Sequence, residues 1–172
     1  MPTTTKTAPP AARLPAEPMK PIVDPADWTG EQLTFADDWQ FHLTAAEIAE
    51  LDAAVAGVRE RGLDIKDITL ADFPLPTLEP KLSLLKKQIF DGRGVGLLRG
   101  VPVDRYDIAE AAAAYWGIGL RIGGPVSQNH NDHLLGHVYD LTGPSRDGPS
   151  TRAYHTSAYI NYHSDSCDVV GL

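Results

Sequence analysis

The feature that most constrains this 172-residue chain is a change of texture at Gly123. Before it, apolar residues recur at helical spacing in three segments with start and stop signals. After it, "GPVSQNHNDHLLGHVYDLTGPSRDGPSTRAYHTSAYINYHSDSCDVVGL" is dense in Gly, Pro, Asn, Ser and Asp, with brief β-favouring pieces between turn signals. Helices first and β structure afterwards predict an α+β domain rather than an alternating βα fold. No internal repeat is visible.

In "TAAEIAELDAAVAGVRERG" Ile48, Leu51, Val55 and Val58 fall on one helical face. Thr44 and Glu47 form a capping box, and Gly62 suits a left-handed stop. A second helix is predicted in "LPTLEPKLSLLKKQIFDGRG", with Leu78, Leu82, Leu85 and Ile89 on one stripe, Pro80 in the first turn and Gly92 past the end. "YDIAEAAAAYWGIG" makes a third, capped by Asp107 and Glu110. Between the second and third, "DGRGVGLLRGVPVD" reads as a buried strand. Its Gly94, Gly96 and Gly100 are spaced G-x-G-x-x-x-G within the strand, not between a strand and a helix, so they do not signal a nucleotide site. Close backbone packing explains them better.

A 42% hydrophobic content suffices for one domain. Fifteen Lys and Arg against twenty-three Asp and Glu give 15 − 23 = −8, which repels a phosphate backbone and argues against nucleic acid as a partner. Cys167 is the only cysteine, so no intrachain disulfide forms. No apolar run reaches the ~20 residues of a membrane span, and no secretion signal opens the chain. A soluble protein of the reducing cytoplasm is the expectation. Residues 1–20, rich in Pro, Thr and Ala, read as a flexible tail. A mitochondrial transit peptide is the rival reading, because Lys6 and Arg13 precede the first acidic residue, Glu17. The domain is expected over 21–172, helical from about 40 to 120 and β from there onward.

The chemistry concentrates in "YINYHSDSCDVVGL". In an extended strand Tyr159, Asn161, His163 and Asp165 share one face, wholly polar, which suits a water-lined cavity better than open solvent. Residues i and i+2 lie about 6.6 Å apart, so an imidazole and a carboxylate can lean toward one ion through bonds of about 2.0 to 2.2 Å. That donor pair suits divalent iron, manganese or zinc, and a 2-His-1-carboxylate triad needs one more imidazole. His130, His133 and His137, at i, i+3 and i+7, are an alternative zinc cluster if helical, although Asn131, Asp132 and Gly136 argue for a turn. His155 reads as a packing or hydrogen-bonding residue, and His42 lies beside the first helix without an evident partner. Cys167 sits among Asp165 and Asp168, which raise rather than lower a thiol pKa, so it reads as a small packed side chain.

The segments "GRGVGLLRGVPVDRYDIAEAAAAYWGIGLRIGGPVSQN", "LLGHVYDL" and "RAYHTSAYINYHSDSCDVVGL" together resemble the first half of a protein of the taurine dioxygenase-like superfamily, the iron(II) and 2-oxoglutarate-dependent oxygenases, over roughly residues 20 to 172. The last block is the most specific. The family's His-Thr-Asp triplet maps onto His163 and Asp165, with Ser164 keeping the threonine's hydroxyl. The resemblance implies a double-stranded β-helix, or jelly roll, flanked by helices. It also implies iron(II) as cofactor, 2-oxoglutarate as cosubstrate and a small organic substrate, with Tyr159, Asn161 and Asn129 as candidates for lining its pocket. His163 must be neutral and Asp165 ionised to ligate, so metal affinity is expected to fall below about pH 6.5.

In that family a second iron-binding histidine and an arginine for the far carboxylate of 2-oxoglutarate lie well downstream of the His-x-Asp, and this chain contains neither. About four plausible strands follow Gly92, short of a closed jelly roll. The expectation is therefore an incomplete β-helix in a truncated chain of doubtful activity alone, with a complementing C-terminal fragment or a homo-oligomer as partner. The alternatives are a non-catalytic interaction module pairing through its open sheet edge, and the zinc protein built on His130, His133 and His137.

Overall fold

The structure is a computed structural model that describes residues 13–129, 132–138, 159 and 161–172. Its contacts separate two units, Met1–Gly123 and Gly124–Leu172. The first contains α1 (Gly30–Thr34), β1 (Gln40–His42), α2 (Ala45–Arg61), α3 (Glu79–Phe90), β2 (Leu97–Arg99) and α4 (Ile108–Ile122), with 3-10 turns at Ile65–Asp67 and Val103–Arg105. Helices plus a small two-stranded sheet fit the expected α+β class, but both strands lie among the helices rather than after them, and no jelly roll is present among the described residues.

Each predicted helix forms where its end signals stand. In α2 the Glu47 N–H donates to Thr44 Oγ1 and the Thr44 N–H donates to the Glu47 carboxylate, while Gly62 takes φ +61°. Leu51, Val55 and Val58 are buried on its stripe, joined by Ala54; Ile48 is half-buried. Helix α3 begins at Leu78 without a side-chain cap of its own. Glu50 of α2 substitutes, its carboxylate accepting from Thr77 N–H at 2.7 Å and Leu78 N–H at 2.8 Å. A negative charge at free N–H groups is what a helix start favours. Leu78 and Leu82 are fully buried and Leu85 nearly so.

Helix α4 packs on both α2 and α3, through Ala113, Ala114, Trp116 and Gly117. A Cβ on Gly117 would lie 2.2 Å from Phe73 Cδ1, so glycine lets the fully buried Phe73 ring rest on the helix backbone. The Trp116 indole donates to the Ile68 carbonyl at 3.2 Å, which satisfies the one polar atom that this ring carries inward. Each large side chain buried here contributes about 1.5–3 kcal/mol of transfer free energy.

β1 and β2 pair in parallel, Gln40 with Leu97, Phe41 with Leu98 and His42 with Arg99. The predicted strand is therefore present but short, and Leu97 and Leu98 are half-buried rather than buried. A two-stranded sheet covers only part of each face, which is the physical reason. Gly96 meets the close-packing expectation, since a Cβ there would fall 2.2 Å from Leu85 Cδ1. Gly94 and Gly100 owe their place to backbone sign instead, with φ of +73° and +95° on either side of the strand.

Residues 1–12 of the predicted tail lie outside the described residues. Residues 13–20 belong to a loop closed by Leu14 N–H to the Val23 carbonyl at 3.0 Å and by an Arg13–Asp24 ion pair at 2.6 Å. In the second unit, residues 124–129 and 132–138 form a turn in which Gln128 N–H donates to His133 O at 2.7 Å and Asp132 N–H to Asn129 O at 3.0 Å.

No strand is present among the described residues of that unit. The strand expected across 159–165 is replaced over 161–165 by irregular backbone. No backbone-to-backbone hydrogen bond joins 161–172 to another described residue of that unit. The β-favouring pieces of 139–158 lie outside the described residues. Among those described, no helix is long and apolar enough to cross a membrane.

Candidate functional site

His163 and Asp165, two residues apart on irregular backbone, nevertheless point together: His163 Nε2 stands 3.6 Å from Asp165 Oδ1. Both side chains are about half exposed, 57% and 50%. The other ring nitrogen, Nδ1, lies 2.8 Å from the Asn161 carbonyl oxygen. One ring edge is thus engaged by backbone while the other faces a carboxylate across a gap too wide for a good hydrogen bond.

That gap has the size of a shared ion. Two donors bound at about 2.1 Å sit roughly 3.0 Å apart at octahedral right angles and roughly 3.4 Å apart at the tetrahedral angle. A closing motion of about half an ångström would suffice. Imidazole nitrogen with carboxylate oxygen suits iron(II), manganese or zinc. Two protein donors fit such an ion, but a third is not at hand, since no group of three or more His, Cys, Asp or Glu side chains converges among the described residues.

The remaining sequence candidates are placed as follows. Tyr159 and Asn161 are exposed, so the water-lined cavity expected on that face is not formed by the described residues. Asn129 is engaged locally: its amide lies 3.1 Å from His133 Nδ1, and its Oδ1 accepts from His133 N–H at 3.4 Å. His133 and His137 are exposed, whereas His130 and His155 lie outside the described residues. His42 has a partner after all, through its backbone, whose carbonyl accepts from Lys81 Nζ at 2.5 Å. Cys167 is exposed rather than packed, because the bend that carries it lies at the surface.

Sequence reasoning missed an open cleft of about 610 Å³ in the helical unit, between α2 and the start of α4, lined by Asp52, Arg59, Glu60, Arg105, Tyr106 and Glu110 among others. Its charges are largely satisfied internally. Arg105 binds Asp52 at 2.9 Å, Arg59 binds Glu110 at 2.5 Å, and the Tyr106 hydroxyl donates to Asp52 at 2.6 Å. Burial first, and then that carboxylate, push the Tyr106 phenol above its ordinary pKa. No periodicity could have revealed it, because its residues come from separate elements.

No protein-family model matches the chain. Comparison with curated proteins bears out the resemblance to the taurine dioxygenase-like superfamily: the chain is similar to such proteins over most of its length. It is 28% identical over 154 residues to FR-33289 synthase of Streptomyces rubellomurinus, covering 89% of this chain and 45% of that one. With taurine hydroxylase-like protein SAT17 of Stachybotrys chartarum it shares 30% identity over 156 residues, covering 87% of this chain and 40% of that relative. The chain thus spans a little under half the length of these curated relatives. Their names are those of a synthase and a hydroxylase-like protein.

Proposed function

We propose that this chain carries part of the iron(II) site of a 2-oxoglutarate-dependent oxygenase acting on a small organic substrate. The observation that carries the reading is the convergence of His163 Nε2 and Asp165 Oδ1 to 3.6 Å, with the far ring nitrogen already occupied. The placement of that His-x-Asp within a sequence similar to taurine dioxygenase-like relatives supports it. A bound iron(II) with 2-oxoglutarate would supply dioxygen-dependent oxidation coupled to decarboxylation of the cosubstrate.

This chain's own part is narrower. His163 offers one neutral nitrogen and Asp165 one anionic oxygen, which together fix two adjacent positions on the ion and offset part of its charge. Tyr159, Asn161 and Asn129 are proposed to face the substrate, with phenol and amide groups that orient a polar small molecule. A jelly roll completing the domain, and a third protein ligand, belong to the same proposal. So does residence in the cytoplasm.

Anaerobic equilibrium dialysis with iron(II), with and without 2-oxoglutarate, tests it. Wild-type chain is expected to take up the metal, and His163→Ala and Asp165→Ala each to lose that uptake. Equal uptake by all three proteins would remove the reading.

A further inference from the structure

The cleft between α2 and the start of α4 has its origin in the sequence of α2. Asp52, Ala56 and Glu60 follow one another every four residues along that helix, with Val55 and Arg59 in the neighbouring row. A methyl group between two acidic side chains leaves a dip, and Arg105, Tyr106 and Glu110 stand on its far side. Four of the charges there are spent on each other, Arg105 on Asp52 and Arg59 on Glu110. Glu60 is the exception, exposed and without a cation or hydrogen-bond donor at its carboxylate among the described residues. On the stretch that carries Arg105 and Tyr106, Asp104 and Asp107 are exposed with no cation paired to them, and Val103 and Ile108 are 57% and 82% exposed. Two arginines against the five carboxylates of this surface give 2 − 5 = −3.

We propose that this cleft is a docking notch for a lysine or arginine side chain carried by an apolar segment of a partner polypeptide. Such a side chain lays its aliphatic stem along apolar surface and keeps its charged head in water. Here the stem covers Val55 and Ala56, and the head meets Glu60, the one carboxylate in the cleft with no partner of its own. Val103 and Ile108 offer apolar contact to the segment that carries it, which a free small cation would not use. Anionic ligands are opposed twice, by the local −3 and by the −8 of the whole chain, and the same field draws cations in. Arg59 and Arg105 do not reverse this, because Glu110 and Asp52 already offset them. The cleft lies wholly within the helical unit, and the proposal does not depend on His163 or Asp165.

The test is a titration of the full chain, labelled with nitrogen-15, with a blocked hexapeptide in which arginine and leucine alternate. Expected are amide shifts confined to residues 52–60 and 103–110, saturating with a Kd of about 0.1–1 mM, the range of a small transient contact. Ala56→Phe fills the dip at an exposed helix position and should weaken binding by about tenfold, since the stem loses its apolar floor. Glu60→Gln should weaken it by about two- to fivefold, the worth of one exposed ion pair, and should flatten its dependence on salt. Circular dichroism melts check that both variants fold; should Ala56→Phe fold poorly, Glu60→Gln, which changes charge and not shape, decides. The same peptide with glutamate in place of arginine should not bind. Absent or scattered shifts, equal affinity for the wild type and Glu60→Gln, or equal binding of the acidic peptide overturns the proposal. So does free arginine amide if it produces the same shifts at the same concentration, because the cleft would then be a small-cation site only.

Discussion

Removing the Glu47 carboxylate should uncouple three elements at once. Glu47 is only 6% exposed, and its Oε2 accepts from Thr44 N–H at 2.7 Å, from the Thr44 hydroxyl at 2.9 Å and from the Lys81 ammonium. Lys81 in turn donates to the His42 carbonyl at the end of β1. One oxygen therefore caps α2, anchors α3 and, through Lys81, reaches the sheet. Breaking a buried ion pair from one side costs about 3–5 kcal/mol. Lys81 keeps the His42 carbonyl and is 21% exposed, which puts Glu47→Ala at the low end, about 3 kcal/mol with the lost cap included. At this domain size that lowers Tm by about 12 °C, taking ~4 °C per kcal/mol.

Urea unfolding followed by circular dichroism measures the loss, and a cycle with Lys81→Met should return a coupling of about 2 kcal/mol. The pH dependence has a definite sign. Burial alone raises the Glu47 pKa, but the Lys81 ammonium and then the Thr44 amide and hydroxyl outweigh it, so the carboxyl ends below its ordinary 4.5. A depressed folded-state value contributes stability that is fully present above the unfolded pKa and is lost as pH falls through the folded one. The deficit of Glu47→Gln should therefore stay level from pH 7 to about 5 and shrink below about 4.5. A loss under about 1 kcal/mol for Glu47→Ala, or a deficit that widens on acidification, would refute this account.

Two glycines separate propensity from packing. Gly57, inside α2 with open space around its Cβ position, should gain about 0.5–1 kcal/mol on Gly57→Ala. Gly117→Ala should instead lose about 2 kcal/mol, because overpacking against the Phe73 ring outweighs the better helix former; thermal melts of both variants check the opposite signs. Leu82→Ala, at a fully buried position of α3, should cost about 3 kcal/mol in urea unfolding. Asp165→Asn should bind iron(II) more weakly than the wild type in dialysis while leaving the unfolding midpoint within ~0.5 kcal/mol, since the side chain is half exposed.

The helices were legible because their instructions are local. Thr44 with Glu47, and Asp107 with Glu110, satisfy backbone groups three residues away, and the apolar stripes of α2 and α3 need only helical spacing to be seen. Helix α1 carried the same kind of signal, Thr29 with Gln32 in a capping box, and its five-residue length hid it from periodicity. β1 was invisible because Gln40, Phe41 and His42 become a strand only by pairing with residues nearly sixty positions later. The Glu50 cap on α3 and the Asp52, Arg105 and Tyr106 cluster are likewise products of long-range contact.

At the candidate site the division falls differently. Residue type and i, i+2 spacing suffice to nominate His163 and Asp165, since donor chemistry is a property of the side chains themselves. Their convergence was expected from strand alternation, yet it occurs on irregular backbone, where the turn of the chain and the bond from His163 Nδ1 to Asn161 O orient the ring. By itself, then, the sequence determined the helices, their ends and the donor pair, because these depend on interactions within a few residues. Only the tertiary structure decided the sheet pairing and the buried Glu47–Lys81 link, because each depends on where the folded backbone brings a distant residue within about 3 Å.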